Sequence, residues 1–276
     1  MLKNKDNFYS GLNVLITGAS SGIGRELALQ LIEKGANVFA VSRNMPKLQS
    51  SLRPSENNSG NLELFSADIS KYDNCKMILD EFSRHFDRLD ILINNAGVGH
   101  FSDFVSTKKD DYEYVINTNL TGPFYLTQLF FGLLKKSGRG RIVNISSSGA
   151  FYGVPFRSIY CAAKAGLRVW SQAITLELRR FGIEVFIVIP GSTKTDFFNN
   201  QIGKAPQAHR IPGKIELPES LAKRILRAVP GRGKEINHAF SSRVILYLSV
   251  LTPTIIKKLI TRAIKSEEPY IYKDGK

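Results

Sequence analysis

Asn13-Val14-Leu15-Ile16-Thr17-Gly18-Ala19-Ser20-Ser21-Gly22-Ile23-Gly24 is the stretch whose reading decides the architecture. Its first five residues are mostly apolar and suit a strand buried on both faces of a parallel sheet. Residues 25–34 then carry helical periodicity, with Leu27, Ala28, Leu31 and Ile32 on one face and Gly35 at the end. Between strand and helix, Gly18, Ser20, Ser21, Gly22, Ile23 and Gly24 make a glycine-rich turn. Glycines let the backbone approach a pyrophosphate, and a helix N-terminus offers unpaired N–H groups and the positive end of a dipole. Strand, glycine turn and helix together form a cradle for a dinucleotide.

The same alternation continues outward. Residues 37–42 read as the second strand, which ends in Ser42 and Arg43. An acidic residue there would accept from a free ribose hydroxyl and repel a phosphate. A hydroxyl and a cation instead suit a 2′-phosphate, with Lys47 or Arg25 as helpers, so NADP(H) is expected rather than NAD(H). A polar loop at 54–60 precedes a third strand at 61–66. Asp68, followed by Ile69, has two readings: acceptor for an adenine amino group, or cap of the helix starting near Lys71. Residues 72–86 are amphipathic. A fourth strand at 89–93 runs into Asn94-Asn95-Ala96-Gly97, where small residues allow close approach to a cofactor and asparagines tie neighbouring loops.

Residues 108–136 have a long helical pattern interrupted by Asn119 and Pro123. A kink at Asn119 would free a backbone carbonyl for water; a bend made for packing is the other reading. The fifth strand, 141–145, ends in Ser146-Ser147-Ser148-Gly149, at the sheet edge where open α/β sheets bind ligands. A helix is expected over 158–181. A sixth strand at 183–189 is closed by Pro190-Gly191-Ser192-Thr193-Lys194-Thr195, where a carboxamide is to be held. Six β/α units predict an α/β, doubly wound parallel sheet of the Rossmann type.

Within the 158–181 helix, Tyr160 and Lys164 stand four apart, which stacks them on one face. A phenol with its ordinary pKa of about 10 is a poor proton donor or acceptor at neutral pH. An ammonium beside it is expected to lower that value, letting the pair exchange a proton with a carbonyl or alcohol oxygen. Taken alone, this spacing also suits a solvated helix face.

The 276-residue chain carries a net charge of +14. From Lys204 onward it has fifteen Lys or Arg against six Asp or Glu, so +9 of that charge lies in the last quarter. Such an excess suits an acidic partner, and equally suits solubility. No nucleic-acid motif accompanies it, so nucleic acid is not the expected partner. Cys75 and Cys161 fit no metal or redox spacing; no metal is expected, and free thiols point to a reducing, cytoplasmic compartment. The domain expected over residues 1–240 carries a lid at about 195–216 and is followed by a basic amphipathic extension at 241–276. Residues 244–265 mix apolar side chains with Lys257, Lys258, Arg262 and Lys265, which suits peripheral contact with a membrane surface, a subunit interface, or packing on the core.

Thr17-Gly18-x-x-x-Gly22-x-Gly24, Asn94-Asn95-Ala96-Gly97, a serine, Tyr160-x-x-x-Lys164 and Pro190-Gly191, in this order, resemble the short-chain dehydrogenase/reductase family over residues 12–200. The resemblance implies a tetrad. Tyr160 donates the proton in ketone reduction. Lys164 lowers its pKa and holds the nicotinamide ribose. Ser147, thirteen residues before the tyrosine, hydrogen-bonds the carbonyl, and Asn119 anchors a water. Gly18, Ser20, Ile23, Arg43, Asp68, Asn95, Pro190, Gly191 and Thr195 then line the cofactor. It implies a small-molecule ketone or alcohol substrate and a homodimer or homotetramer. The basic tail is similar to that of membrane-associated reductases of lipid ketones and steroids. Rival readings are NAD-dependent oxidation of a secondary alcohol and a dinucleotide sensor without turnover.

Overall fold

Strand β1 (Asn13–Thr17) lies between β2 (Asn37–Ser42) and β4 (Ile91–Asn94) in a seven-stranded sheet. Beyond β2 lies β3 (Leu62–Ser66); beyond β4 come β5 (Arg141–Ile145), β6 (Glu184–Ile189) and β7 (Glu235–Asn237). Every pairing is parallel, with Thr17 opposite Val41, Ile93 opposite Val143, and Ile189 opposite Asn237. This is the doubly wound Rossmann-type sheet that the sequence predicts. The computed structural model describes residues 8–53, 60–195, 197, 201–203 and 215–237. Most of the expected lid and all of the 241–276 extension therefore lie outside the described residues.

Side chains alternate across each strand and supply two cores. Val14 and Ile16 face one side, with Leu27 and Leu31 of helix α1 (Gly22–Glu33). Leu15 faces the other, with Phe39, Ile78, Phe82 and Phe130. Burial of each such side chain stabilises the fold by about 1.5–3 kcal/mol. A helix not anticipated from sequence, α2 (Met45–Ser51), follows β2; Asn44 caps it by accepting from Lys47 N at 2.9 Å. Helix α3 (Tyr72–His85) fills the amphipathic stretch after β3.

The long 108–136 pattern is not one helix. Helix α4 (Lys109–Ile116) passes into a π-helical turn (Asn117–Thr121), then α5 (Gly122–Leu129) and α6 (Phe131–Lys136). The interruption falls on Asn119, as the sequence suggests, and takes the form of one wide turn. Helix α7 (Ser158–Leu178) buries Tyr160, Ala163, Lys164, Leu167, Ser171 and Ile174, a continuous stripe at helical spacing. Helix α8 (Pro218–Ala228) covers the face that α1 covers. Because β1 and β4 connect in opposite directions across the sheet, their C-terminal ends open a crevice at this switch point.

Candidate active site

The loops at the C-terminal ends of the strands enclose a cleft of about 610 Å³. It runs from Arg43 past the glycine turn to Tyr160 and Phe197. Of the residues assigned to the cofactor from sequence, all but Gly24 line it; of the tetrad, all but Asn119 do. The two exceptions sit directly behind the wall. Gly24 presses against the Gly18 carbonyl and the Asn95 amide, leaving no room for a Cβ. Asn119 is fully buried; its Oδ1 accepts from Val98 N at 2.9 Å and its Nδ2 donates to Val98 O at 2.8 Å.

Those two bonds fix the loop after β4 to the π-helical turn. Gly97 is caught between them: a Cβ there would lie 2.8 Å from Asn119 Oδ1 and 3.3 Å from Lys164 Nζ. At the other end Gly18 has a φ of +69°, and a Cβ would lie 2.8 Å from the Ala96 Cα. Only a residue without a side chain is cheap in that backbone region and that space. Asn95 closes the join, donating through Nδ2 to Thr17 O at 3.0 Å and Gly18 O at 3.1 Å. Thr195 overhangs the turn, its Cγ2 2.9 Å from where a Cβ on Gly22 would be.

At the adenosine end, Ser42 Oγ donates to Ser20 Oγ at 2.9 Å, linking the second strand to the glycine turn. The Arg43 guanidinium lies over the Tyr114 ring, 5.4 Å from its centroid, and lines the cleft with Lys47. Arg25, offered as a helper by the sequence, does not line the cleft. Its Nε donates to Ser51 O at 3.0 Å and its Nη1 pairs with Glu26 at 2.7 Å. Asp68 lines the cleft and also accepts from Ser70 N at 3.0 Å, an Asx turn ahead of α3; the helix cap itself falls on Lys71. Asp68 is therefore not the cap of α3, and it remains on the cleft wall. Glycine turn, helix N-terminus and a long cleft together fit a dinucleotide.

At the reacting end the three serines divide their tasks. Ser146 Oγ donates to Lys164 O at 2.9 Å and is buried, so it ties β5 to α7. Ser147 accepts from Gly149 N at 3.2 Å and lines the cleft with Tyr160, whose phenol its side chain holds lower than burial alone would. Ser148 lines the cleft, and its N–H donates to Pro190 O at 3.1 Å. Tyr160 and Lys164 share the cleft wall.

The electrostatics differ from the sequence expectation. Burial pushes the Tyr160 phenol above its ordinary value of 10.0; the Ser147 hydrogen bond and the Arg157 guanidinium pull it down, while Cys161 adds to the rise. Lys164 is absent from those influences. Its Nζ donates to Ile145 O at 2.9 Å, and burial lowers its pKa from 10.5 to about 8. Arg157 is the residue that the sequence reading missed. It is 6% exposed, stands just before the first residue of α7, and lines the cleft one turn before Tyr160.

This fold and cleft define a nicotinamide-dinucleotide oxidoreductase. The chain belongs to the short chain dehydrogenase family, whose pattern it matches over residues 12–205. It is 34% identical over 77% of its length to the 3-oxoacyl-[acyl-carrier-protein] reductase FabG of Thermotoga maritima, covering 87% of that protein. It is 33% identical over 68% of its length to the 3-ketodihydrosphingosine reductase of Bacteroides thetaiotaomicron, covering 66% of that protein. Among solved structures it resembles a metagenomic short-chain oxidoreductase in complex with NADP, with a TM-score of 0.70 and 29% identity over 83% of this chain and 97% of that one. No helix among the described residues is long and apolar enough to cross a membrane.

Proposed function

We propose that the protein reduces a lipophilic ketone to a secondary alcohol, with NADPH as the cofactor. The observation that carries this reading is Ser147, Tyr160 and Lys164 together on the wall of a cleft whose far end holds Arg43. Gly18, Ser20, Ser21, Gly22 and Ile23 would hold the pyrophosphate. Arg43, steadied on Tyr114, would meet the 2′-phosphate. Pro190, Gly191, Thr193 and Thr195 would flank the nicotinamide. The bound cofactor supplies the hydride. Ser147 and Tyr160 donate to the ketone oxygen, stabilising the charge that develops there, and Tyr160 then transfers its proton.

A phenol held above its ordinary pKa keeps that proton at neutral pH. Phe197, its ring centroid 5.8 Å from that of Tyr160, and Val154 supply apolar walls for a hydrocarbon chain. The relatives that act on 3-oxoacyl and 3-ketodihydrosphingosine substrates support such a chain. The protein works as a homodimer or homotetramer through α4 and α7. The test uses fluorescence titration and turnover on a panel of ketones. NADPH should bind more tightly than NADH. Tyr160→Phe should keep NADPH binding and lose turnover by roughly three orders of magnitude or more. Near-normal turnover in that variant would refute the reading.

A further inference from the structure

Phe104 and Val105 are the barest large apolar side chains among the described residues, 84% and 91% exposed. Single apolar residues on a surface are ordinary; two neighbours at the tip of one turn are not. The turn itself does not need them. Asp103 shapes it, its Oδ1 accepting from Ser106 N at 2.8 Å and its carbonyl from Thr107 Oγ1 at 2.7 Å. Polar residues would serve such a turn as well. Its base is fixed beside the reacting end of the cleft. Phe101 N donates to Ile202 O and Ser102 N to Phe156 O, both at 2.9 Å, and the nearby Gly99 and Arg157 line the cleft. A second exposed pair, Ile215 and Leu217, flanks Glu216, whose bridge to Thr193 sets it beside the same cleft.

Area and charge decide what covers these side chains. The Phe104–Val105 tip presents roughly 300 Å², well short of the about 800 Å² that each partner buries in a stable protein–protein interface. The two pairs stand on separate segments, and a fluid surface meets such a broken rim more readily than a rigid one does. The chain carries a net charge of +14, which draws it to an anionic surface. Near the two pairs, Lys108, Lys109 and Lys194 are offset by Asp103, Asp110 and Asp111. The attraction therefore belongs to the whole chain, and the contribution of the tip is apolar. We propose that Phe104 and Val105, with Ile215 and Leu217, dock the mouth of the cleft on an anionic lipid bilayer, from which a membrane-dissolved ketone reaches Tyr160. The docking stands on these residues alone; the delivery of a ketone rests on the reductase reading.

Flotation of the full chain with vesicles tests the docking. It should bind phosphatidylcholine vesicles that contain about one-third phosphatidylserine, and bind at least roughly tenfold more weakly to phosphatidylcholine alone or in about 0.5 M salt. Phe104→Ser with Val105→Ser should weaken binding by roughly tenfold or more, the range for two apolar side chains partly withdrawn from water. That variant should keep NADPH binding, since neither residue lines the cleft. Trp170 is the sole tryptophan, so Phe104→Trp in a Trp170→Phe background reports from the tip. Its emission should shift to the blue on anionic vesicles and be quenched by brominated lipid. An unaltered protein that does not float, or a tip emission unchanged by vesicles, overturns the proposal. So does full binding by the double-serine variant, which would assign the contact to residues 244–265. A mass that falls in that variant without vesicles, read by light scattering, would make the tip a protein contact and overturn it too. Vesicle binding with no turnover on any ketone would instead refute the reductase reading and leave the docking in place.

Discussion

Lys164 shows how a single side chain carries a cost for the sake of the site. Its ammonium is 4% exposed and has lost its water, and the Ile145 carbonyl at 2.9 Å replaces only part of that hydration. A fall from 10.5 to about 8 corresponds to roughly 3 kcal/mol of instability while the group is charged. The sign follows from proton binding. Between about pH 8 and 10.5 the unfolded chain binds a proton at this amine that the native state does not, so stability rises with pH across that window. Below about pH 8 the full penalty is present. Replacing the amine by a thioether of similar length removes it. Lys164→Met should therefore melt higher than the unaltered protein at pH 7, with the difference shrinking by pH 10. Thermal melts at the two values check this; an equal difference at both would mean that the buried charge is not the cause. The spacing from Tyr160 to Lys164 was legible in the sequence, but the fall in the lysine's pKa was not. It comes from burial, which a spacing does not encode.

Between elements, position is transmitted through a buried polar relay. Asn94, at the end of β4, donates through Nδ2 to Asn144 Oδ1 on β5 at 2.8 Å. Asn144 Nδ2 donates to Ser171 Oγ on α7 at 2.8 Å, and Ser171 Oγ donates to Leu167 O at 2.6 Å. The relay crosses two strands and ends on the helix that carries Tyr160 and Lys164. Asn144 is the middle link, so Asn144→Ala leaves Asn94 Nδ2 with only its long bond to Thr127 Oγ1 at 3.4 Å and Ser171 Oγ with only its bond to Leu167 O. The expected loss is about 2 kcal/mol or more, whereas Ser171→Ala, which removes only the last link, should cost about 1 kcal/mol. Urea unfolding measures both; a loss below about 0.5 kcal/mol for Asn144→Ala would show that water takes over its bonds. The strands and glycine turns were readable here because alternation and the φ > 0 requirement are local. The break at Asn119 was readable as well, though not its form as a π-helical turn. The burial of Arg157 was not, because it depends on Phe101, which lies more than fifty residues away in sequence.

On the whole molecule, α7 has two faces with different fates. One carries the buried stripe from Tyr160 to Ile174. The opposite one exposes Val169 at 61% and Leu176 at 74%, seven residues apart and therefore on one line. Helix α4 adds Tyr112 at 48% exposure, and the half-buried Phe124–Trp170 pair, 4.2 Å between centroids, binds α5 to α7. A helix that is apolar on its outer line as well as its inner one suits burial on both sides. A second copy of the chain, set against α4 and α7, would cover that line while leaving the cleft mouth at the strand ends open. The protein should therefore elute as a dimer or tetramer at micromolar concentration, with its mass read by light scattering. Val169→Glu with Leu176→Glu should shift it toward monomer, since two carboxylates placed at a self-facing surface repel their own symmetry mates. The cofactor should still bind that variant, because neither residue lines the cleft. A monomer in the unaltered protein, or an unchanged mass in the double variant, would assign the exposed line to something other than self-association.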